Sequence, residues 1–159
     1  MNLESSLRER MRERGFSLTT AESCTGGLLS HRITNIPGAS DFFPGGLIAY
    51  SYESKANLLG VSWEILNKQG AVSEETVRAM ARGARRLFGT DIGVSISGIA
   101  GPTGGTEQKP VGTTWIGLCT IEGEWARHYL WEGDRLEIKQ KSSEAALQFI
   151  LDYLDGKLP

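Results

Sequence analysis

Glycine placement constrains this chain more than any other feature. The 20 glycines are unevenly spread: Gly26-Gly27, Gly45-Gly46, and the group Gly98, Gly101, Gly104, Gly105 and Gly112 fall into short regions beside β-prone runs. Glycine serves where a backbone must turn tightly or come close to a ligand. Such clustering within one small chain predicts a single site assembled from loops.

The segments between these regions alternate in type. Leu3, Leu7 and Met11 recur every fourth residue among charges and predict an amphipathic helix ended by Gly15. Residues 16–20 (FSLTT) read as a strand, Ala21 to Gly27 as a tight turn, and LLSHRITN as a helix. Pro37-Gly38 marks a loop; GLIAYS (46–51) reads as a buried strand, and Tyr52 to Leu59 as a helix stopped by Gly60. Ser73 caps a further helix whose apolar face is Val77, Met80, Ala81, Ala84, Leu87 and Phe88, closed by Gly89. Asp91 to Ser97 reads as a strand and Gly98 to Gly112 as a long loop. Residues 113–121 and 125–131 form a hairpin around Glu122-Gly123, and a last helix spans 135–154. Strands alternating with helices give an α/β domain, and the hairpin makes its sheet mixed. With 159 residues and no linker or repeat, one domain (1–159) is expected.

Composition narrows the class of function. A net charge of −2 gives no general attraction to nucleic acid or anionic lipid, and no apolar run reaches the ~18 residues of a membrane helix. Arg78, Arg82, Arg85 and Arg86 form a basic stripe, read as a solvated helix face. The charged N-terminus does not read as a signal peptide. The two cysteines, Cys24 and Cys119, lack C-x-x-C spacing and suit a reducing cytoplasm. His31 and His128 are far apart with no cysteine cluster, so no metal site is expected.

Ser23 stands where a strand hands over to a glycine-opened turn. Unpaired N–H groups there can hold an oxyanion, so Ser23 is a candidate nucleophile; equally, Ser23 or Thr25 could serve only as a helix cap. A nucleophilic serine needs a base. His31 would lie roughly 12 Å away, two helical turns on, and His128 belongs to the hairpin. Lysine is an alternative, although at pH 7 only about one free lysine amine in 10³ is neutral. Lys55, following the hydrophobic run GLIAYS, could be buried and so deprotonated, or could be an ordinary solvated lysine. Tyr50 could relay or orient a proton. Cys24, the rival nucleophile, reads as a small buried thiol. The 98–112 loop is neither a P-loop nor a G-x-G-x-x-G fingerprint, but its glycines and Lys109 could wrap a phosphate.

Taken in order, TTAESCTGG, GGLIAYSYESKANLLGV, GAVSEETVRAMA, and SISGIAGPTGG with KPVGT resemble the CinA C-terminal domain family from about Leu3 to Leu154. Its stand-alone members include the PncC-type nicotinamide-nucleotide amidohydrolases. The resemblance implies a three-layer α/β/α domain that hydrolyses the carboxamide of nicotinamide mononucleotide in pyridine-nucleotide salvage, without metal or cofactor. It puts the nucleophile at Ser23, the base lysine at Lys55 and the family tyrosine at Tyr50. It aligns Thr25, Gly26, Gly27, Gly46, Ser97, Gly98, Gly101, Gly104 and Gly105 with the nucleotide pocket, to which Lys109 is added. Position 103 is Thr where relatives often carry an acid. The resemblance also implies a homo-oligomer. The alternatives are a non-catalytic nucleotide-binding domain, and a competence or DNA-damage protein acting through contacts.

Overall fold

The computed structural model describes residues 1–159. In chain order the elements are α1 (Leu3–Arg14), β1 (Leu18–Glu22), α2 (Leu28–Thr34), a 3-10 turn (Ala39–Asp41), β2 (Gly45–Ile48), α3 (Tyr52–Leu59), α4 (Trp63–Gln69), α5 (Glu74–Phe88), β3 (Ile92–Gly98), β4 (Thr113–Thr120), β5 (Gly123–Leu130) and α6 (Arg135–Leu154). One five-stranded sheet has the order β2-β1-β3-β4-β5. The first three neighbours pair in parallel and the hairpin adds two antiparallel strands.

Helices cover both faces. On one, α1, α2 and α6 pack over Leu18, Ile92, Val94, Ile96, Ile116 and Leu118 in a core of 23 buried residues. On the other, α3, α4 and α5 gather around Ala21 and Ala49 in a cluster of 8. The architecture is therefore a three-layer α/β/α domain with a mixed sheet. No helix is long and apolar enough to cross a membrane.

Local chemistry sets the boundaries. Asn2, Ser51 and Ser73 accept from backbone amides and cap α1, α3 and α5, while Asp134 and Glu137 form a reciprocal capping box on α6. β1 begins two residues later than the FSLTT pattern predicts. Ser17 is held off the strand by the Asp91 carboxylate, which accepts from both its amide (2.8 Å) and its hydroxyl (3.0 Å). The GLIAYS strand is shorter than expected and is not fully buried: β2 ends at Ile48, which is 55% exposed at the sheet edge. The sequence pattern did not reveal α4, although Ser62 caps it and Gly70 closes it. Leu87 is not part of the α5 apolar face. It is 57% exposed, while the ring of the adjacent Phe88 lies against Gly45 of β2.

The basic stripe on α5 is tied to the hairpin. Arg82 bridges to the Glu124 carboxylate at 2.6 and 2.8 Å, Arg78 donates to the Glu124 carbonyl, and Arg85 to the Asp91 carbonyl.

Candidate active site

The strand order creates the site. From β1 the chain passes through α2 to β2 on one side of the sheet, and later through α5 to β3 on the other. Helices leaving to opposite faces open a crevice at the carboxyl ends of adjacent parallel strands, where ligands bind in open α/β sheets. Ser23 is the first residue beyond β1 there. Its amide donates to the Ile96 carbonyl of β3 at 2.9 Å, and the Ala49 amide donates to the Glu22 carbonyl at 2.9 Å. These bonds continue the parallel register, setting Ala49, Ser23 and Ser97 side by side on three strand ends.

Lys55 lies on the second turn of α3, over the same end of the sheet. It is fully buried. Its Nζ is 2.8 Å from Ser23 Oγ, 2.8 Å from the Ala49 carbonyl oxygen and 3.0 Å from the Tyr50 carbonyl oxygen. Burial, which disfavours the charged form, lowers its pKa from 10.5 to about 8. This geometry has a chemical consequence. A neutral amine has two N–H bonds and one lone pair. The two carbonyls can only accept, so they take the two N–H bonds and leave the lone pair facing the Ser23 hydroxyl. Of the two readings open for Lys55, the structure supports the buried amine.

The turn after Ser23 is shaped by Glu22, which the sequence pattern did not single out. Its fully buried carboxylate accepts from Thr25 Oγ1 (2.6 Å), the Leu29 amide (2.8 Å), the Ser30 amide (3.0 Å) and Ser30 Oγ (2.7 Å). An acid immediately before a small-residue turn was the only available signal. Gly26 and Gly27 follow with φ of 59° and 106°, left-handed conformations that let the chain reverse into α2. The amides of Cys24, Thr25 and Gly27 have no acceptor within the protein, which leaves the turn with donors for an anionic oxygen. Cys24 is 6% exposed, and burial raises its thiol to about 11 against the opposing charges of Lys55 and Lys139. It is a protonated, packed thiol.

Other predicted site residues are placed differently. The Tyr50 backbone reaches Lys55, but the phenol does not: the side chain is 60% exposed and its hydroxyl lies 3.2 Å from an Arg135 nitrogen. Arg135, at the start of α6, also donates to the Gly101 carbonyl, so it straps the end of β2 to the 98–112 loop. Thr25 is buried and committed to Glu22. Ser97 lies beside Ser23, one strand away. Several glycines expected to line the pocket are explained by close packing. A Cβ on Gly46 would meet Thr20 Oγ1 at 1.9 Å, on Gly98 Thr114 Oγ1 at 2.6 Å, on Gly101 Val111 Cγ1 at 2.4 Å, and on Gly105 the Val111 amide at 2.7 Å. Gly104, with φ of 92°, is exposed at the loop tip. Lys109 donates to the Gln69 carbonyl at the end of α4. The cation beside the Ser23 turn is Lys139 of α6, whose Nζ would be 3.8 Å from a Cβ on Gly26. His31 contacts Asn35, and His128 stacks on Trp115 with ring centres 4.7 Å apart; neither is bonded to Ser23.

Comparison with known proteins agrees with this fold. The CinA C-terminal domain profile matches residues 1–154. A CinA-like protein of Syntrophus aciditrophicus is 49% identical over 153 residues, covering 96% of this chain and 36% of that protein. One from Chloroherpeton thalassium is 47% identical over 160 residues, covering 98% and 38%. The chain thus spans little more than a third of these curated relatives. Among solved structures, competence damage-inducible protein A (ComA) from Klebsiella pneumoniae subsp. pneumoniae superimposes with a TM-score of 0.93 at 34% identity, covering 96% of this chain and 95% of that one. A competence or damage-inducible protein from Enterobacter asburiae superimposes with a TM-score of 0.92 at 36% identity, covering 96% of each chain. This chain belongs to the CinA C-terminal domain family.

Proposed function

We propose that the chain is a serine–lysine amidohydrolase that converts nicotinamide mononucleotide to nicotinate mononucleotide and ammonia. The observation that carries this reading is the buried Lys55 amine, 2.8 Å from Ser23 Oγ and oriented by two carbonyls. Neutral Lys55 takes the Ser23 proton as Oγ bonds to the carboxamide carbon, and the carbonyl π pair moves onto oxygen. The free amides of the Cys24 to Gly27 turn hold that oxyanion. As it collapses, the C–N bond breaks and the Lys55 ammonium protonates the departing nitrogen. Water then attacks the acyl ester and gives its proton to Lys55. Ser23 leaves and recovers a proton, and the products are a carboxylate and ammonia. Every step uses side chains or backbone of this chain, with no cofactor.

The choice of a pyridine nucleotide as substrate comes from the family resemblance; the dyad supports amide hydrolysis more generally. The names of the relatives refer to competence and DNA damage, and a role through contacts alone would give no use to a lysine amine buried against a serine hydroxyl. The test is ammonia release from nicotinamide mononucleotide by the purified chain, with Ser23→Ala alongside. Release that disappears in the variant supports the reading. A folded parent that releases none overturns it.

A further inference from the structure

Two cations on α6 have no carboxylate partner: Lys139, whose Nζ stands beside Gly26 of the turn after Ser23, and Arg135, which reaches the Gly101 carbonyl and the Tyr50 hydroxyl. Arg135 and Lys139 are one helical turn apart, so they project from the same side of the helix. Like charges at this spacing destabilise a helix unless something between them compensates. Other arginines, Arg10, Arg32, Arg78, Arg82 and Arg127, each pair with an acid. Here the acids are occupied. Asp134 and Glu137 are used in the helix cap, and the Glu22 carboxylate is turned under α2, where it accepts four hydrogen bonds.

Arg135 is satisfied by neutral acceptors, the Gly101 carbonyl and the Tyr50 hydroxyl. The half-buried Lys139 ammonium has no protein acceptor at all, although Lys141, two residues on, donates to the Glu132 carbonyl. Lys139 stands against Gly26, its Nζ 3.8 Å from where a Cβ would be. Lys55 at Ser23 and Lys139 at Gly26 thus flank the same short turn.

We infer that Lys139 is the anchor of a phosphate-monoester subsite, formed with Arg135 over the Gly26 side of the turn that carries Ser23. This rests on the proposed amide hydrolysis of a nucleotide and adds where its phosphate is held. It assigns to Lys139 the part that the sequence pattern gave to Lys109, whose ammonium is committed to Gln69. An ammonium binds phosphate as a point charge, with charge-assisted hydrogen bonds.

The test uses the whole chain, its Lys139→Gln and Lys139→Arg variants, and Lys141→Gln as a control for charge lost from the same helix. Inorganic phosphate is titrated by calorimetry, and ammonia release is measured from nicotinamide mononucleotide and from nicotinamide riboside, which lacks the phosphate. The parent should bind phosphate, and affinity should fall at least tenfold in Lys139→Gln, recover partly in Lys139→Arg and stay unchanged in Lys141→Gln. For the mononucleotide, Lys139→Gln should raise KM at least tenfold with kcat within about threefold, shrinking the preference for mononucleotide over riboside. Phosphate binding and KM that are equal in parent and Lys139→Gln overturn the subsite, as does a parent that neither binds phosphate nor prefers the mononucleotide. A parent that binds phosphate through Lys139 but releases no ammonia upholds the subsite and overturns the amide reaction. Ammonia release with KM indifferent to Lys139 does the reverse.

Discussion

The carbonyl oxygen of Leu59 lies only 1.9 Å from where a β-carbon on Gly83 would stand. This contact lets α3, which carries Lys55, settle against α5. Gly83→Ala should therefore do more than relieve a helix glycine. Alanine gains about 1 kcal/mol in helix propensity, but the displaced backbone costs more, and a net loss of about 2 kcal/mol is expected. Because the shift moves Lys55, kcat should fall at least tenfold under conditions where the variant is still folded. Thermal melts paired with ammonia assays check both effects.

The dyad predicts a pH profile. In the proposed reaction Lys55 acts as a base only when neutral, and burial lowers its pKa to about 8. The rate should rise with pH through a limb near 8. Ser23→Ala and Lys55→Met should each lower kcat by about 10³-fold or more. Stability carries the same signature. Between about pH 8 and 10.5 the unfolded chain holds the Lys55 proton and the folded chain does not. Stability contributed by this group is therefore lowest below the folded pKa and increases as pH rises through that window. Lys55→Met should flatten this rise in denaturant titrations across pH; an unchanged slope would rule out a depressed Lys55.

Glu22 predicts a purely architectural defect. Glu22→Gln puts amide hydrogens where the Leu29 and Ser30 amides and two hydroxyls already donate. A loss of about 1–3 kcal/mol is expected from the unsatisfied donors, measurable by urea titration.

Cys24 neighbours the proposed nucleophile but is held as a thiol, at about 11. Cys24→Ala should keep activity within about threefold, and iodoacetamide at neutral pH should label Cys24 slowly. Rapid labelling with loss of activity would move the nucleophile from Ser23 to Cys24.

Much of this was legible in the chain because it rests on short-range patterns. Ser73 and Gly89 bound α5, and the hairpin is present, although its turn falls at Ile121-Glu122, one residue before the Glu122-Gly123 pair, with Gly123 already in β5. Ser23 and Lys55 could be named from their motifs, but their 2.8 Å separation depends on how α3 packs over the sheet, across 32 residues of sequence. Glu22, Arg135 and Lys139 were missed for a related reason. An acid before a turn and two basic residues on a long helix look like ordinary polar positions until tertiary packing buries the first and brings Lys139 to Gly26 and Arg135 to Gly101 and Tyr50. Leu87 failed the opposite way: its spacing fits the apolar face, yet it is left exposed while the neighbouring Phe88 ring takes the place against Gly45.

The carbonyls that aim Lys55 belong to Ala49 and Tyr50, just past a four-residue edge strand that pairs only with β1. Edges of this kind open locally at a small fraction of the free energy of global unfolding. When β2 frays, the amine loses its aim while the sheet beneath remains intact. The proposed dyad is thus less robust than its scaffold: on heating, turnover should fade before the cooperative melt, and the amides of residues 45–50 should exchange with deuterium ahead of those in β3.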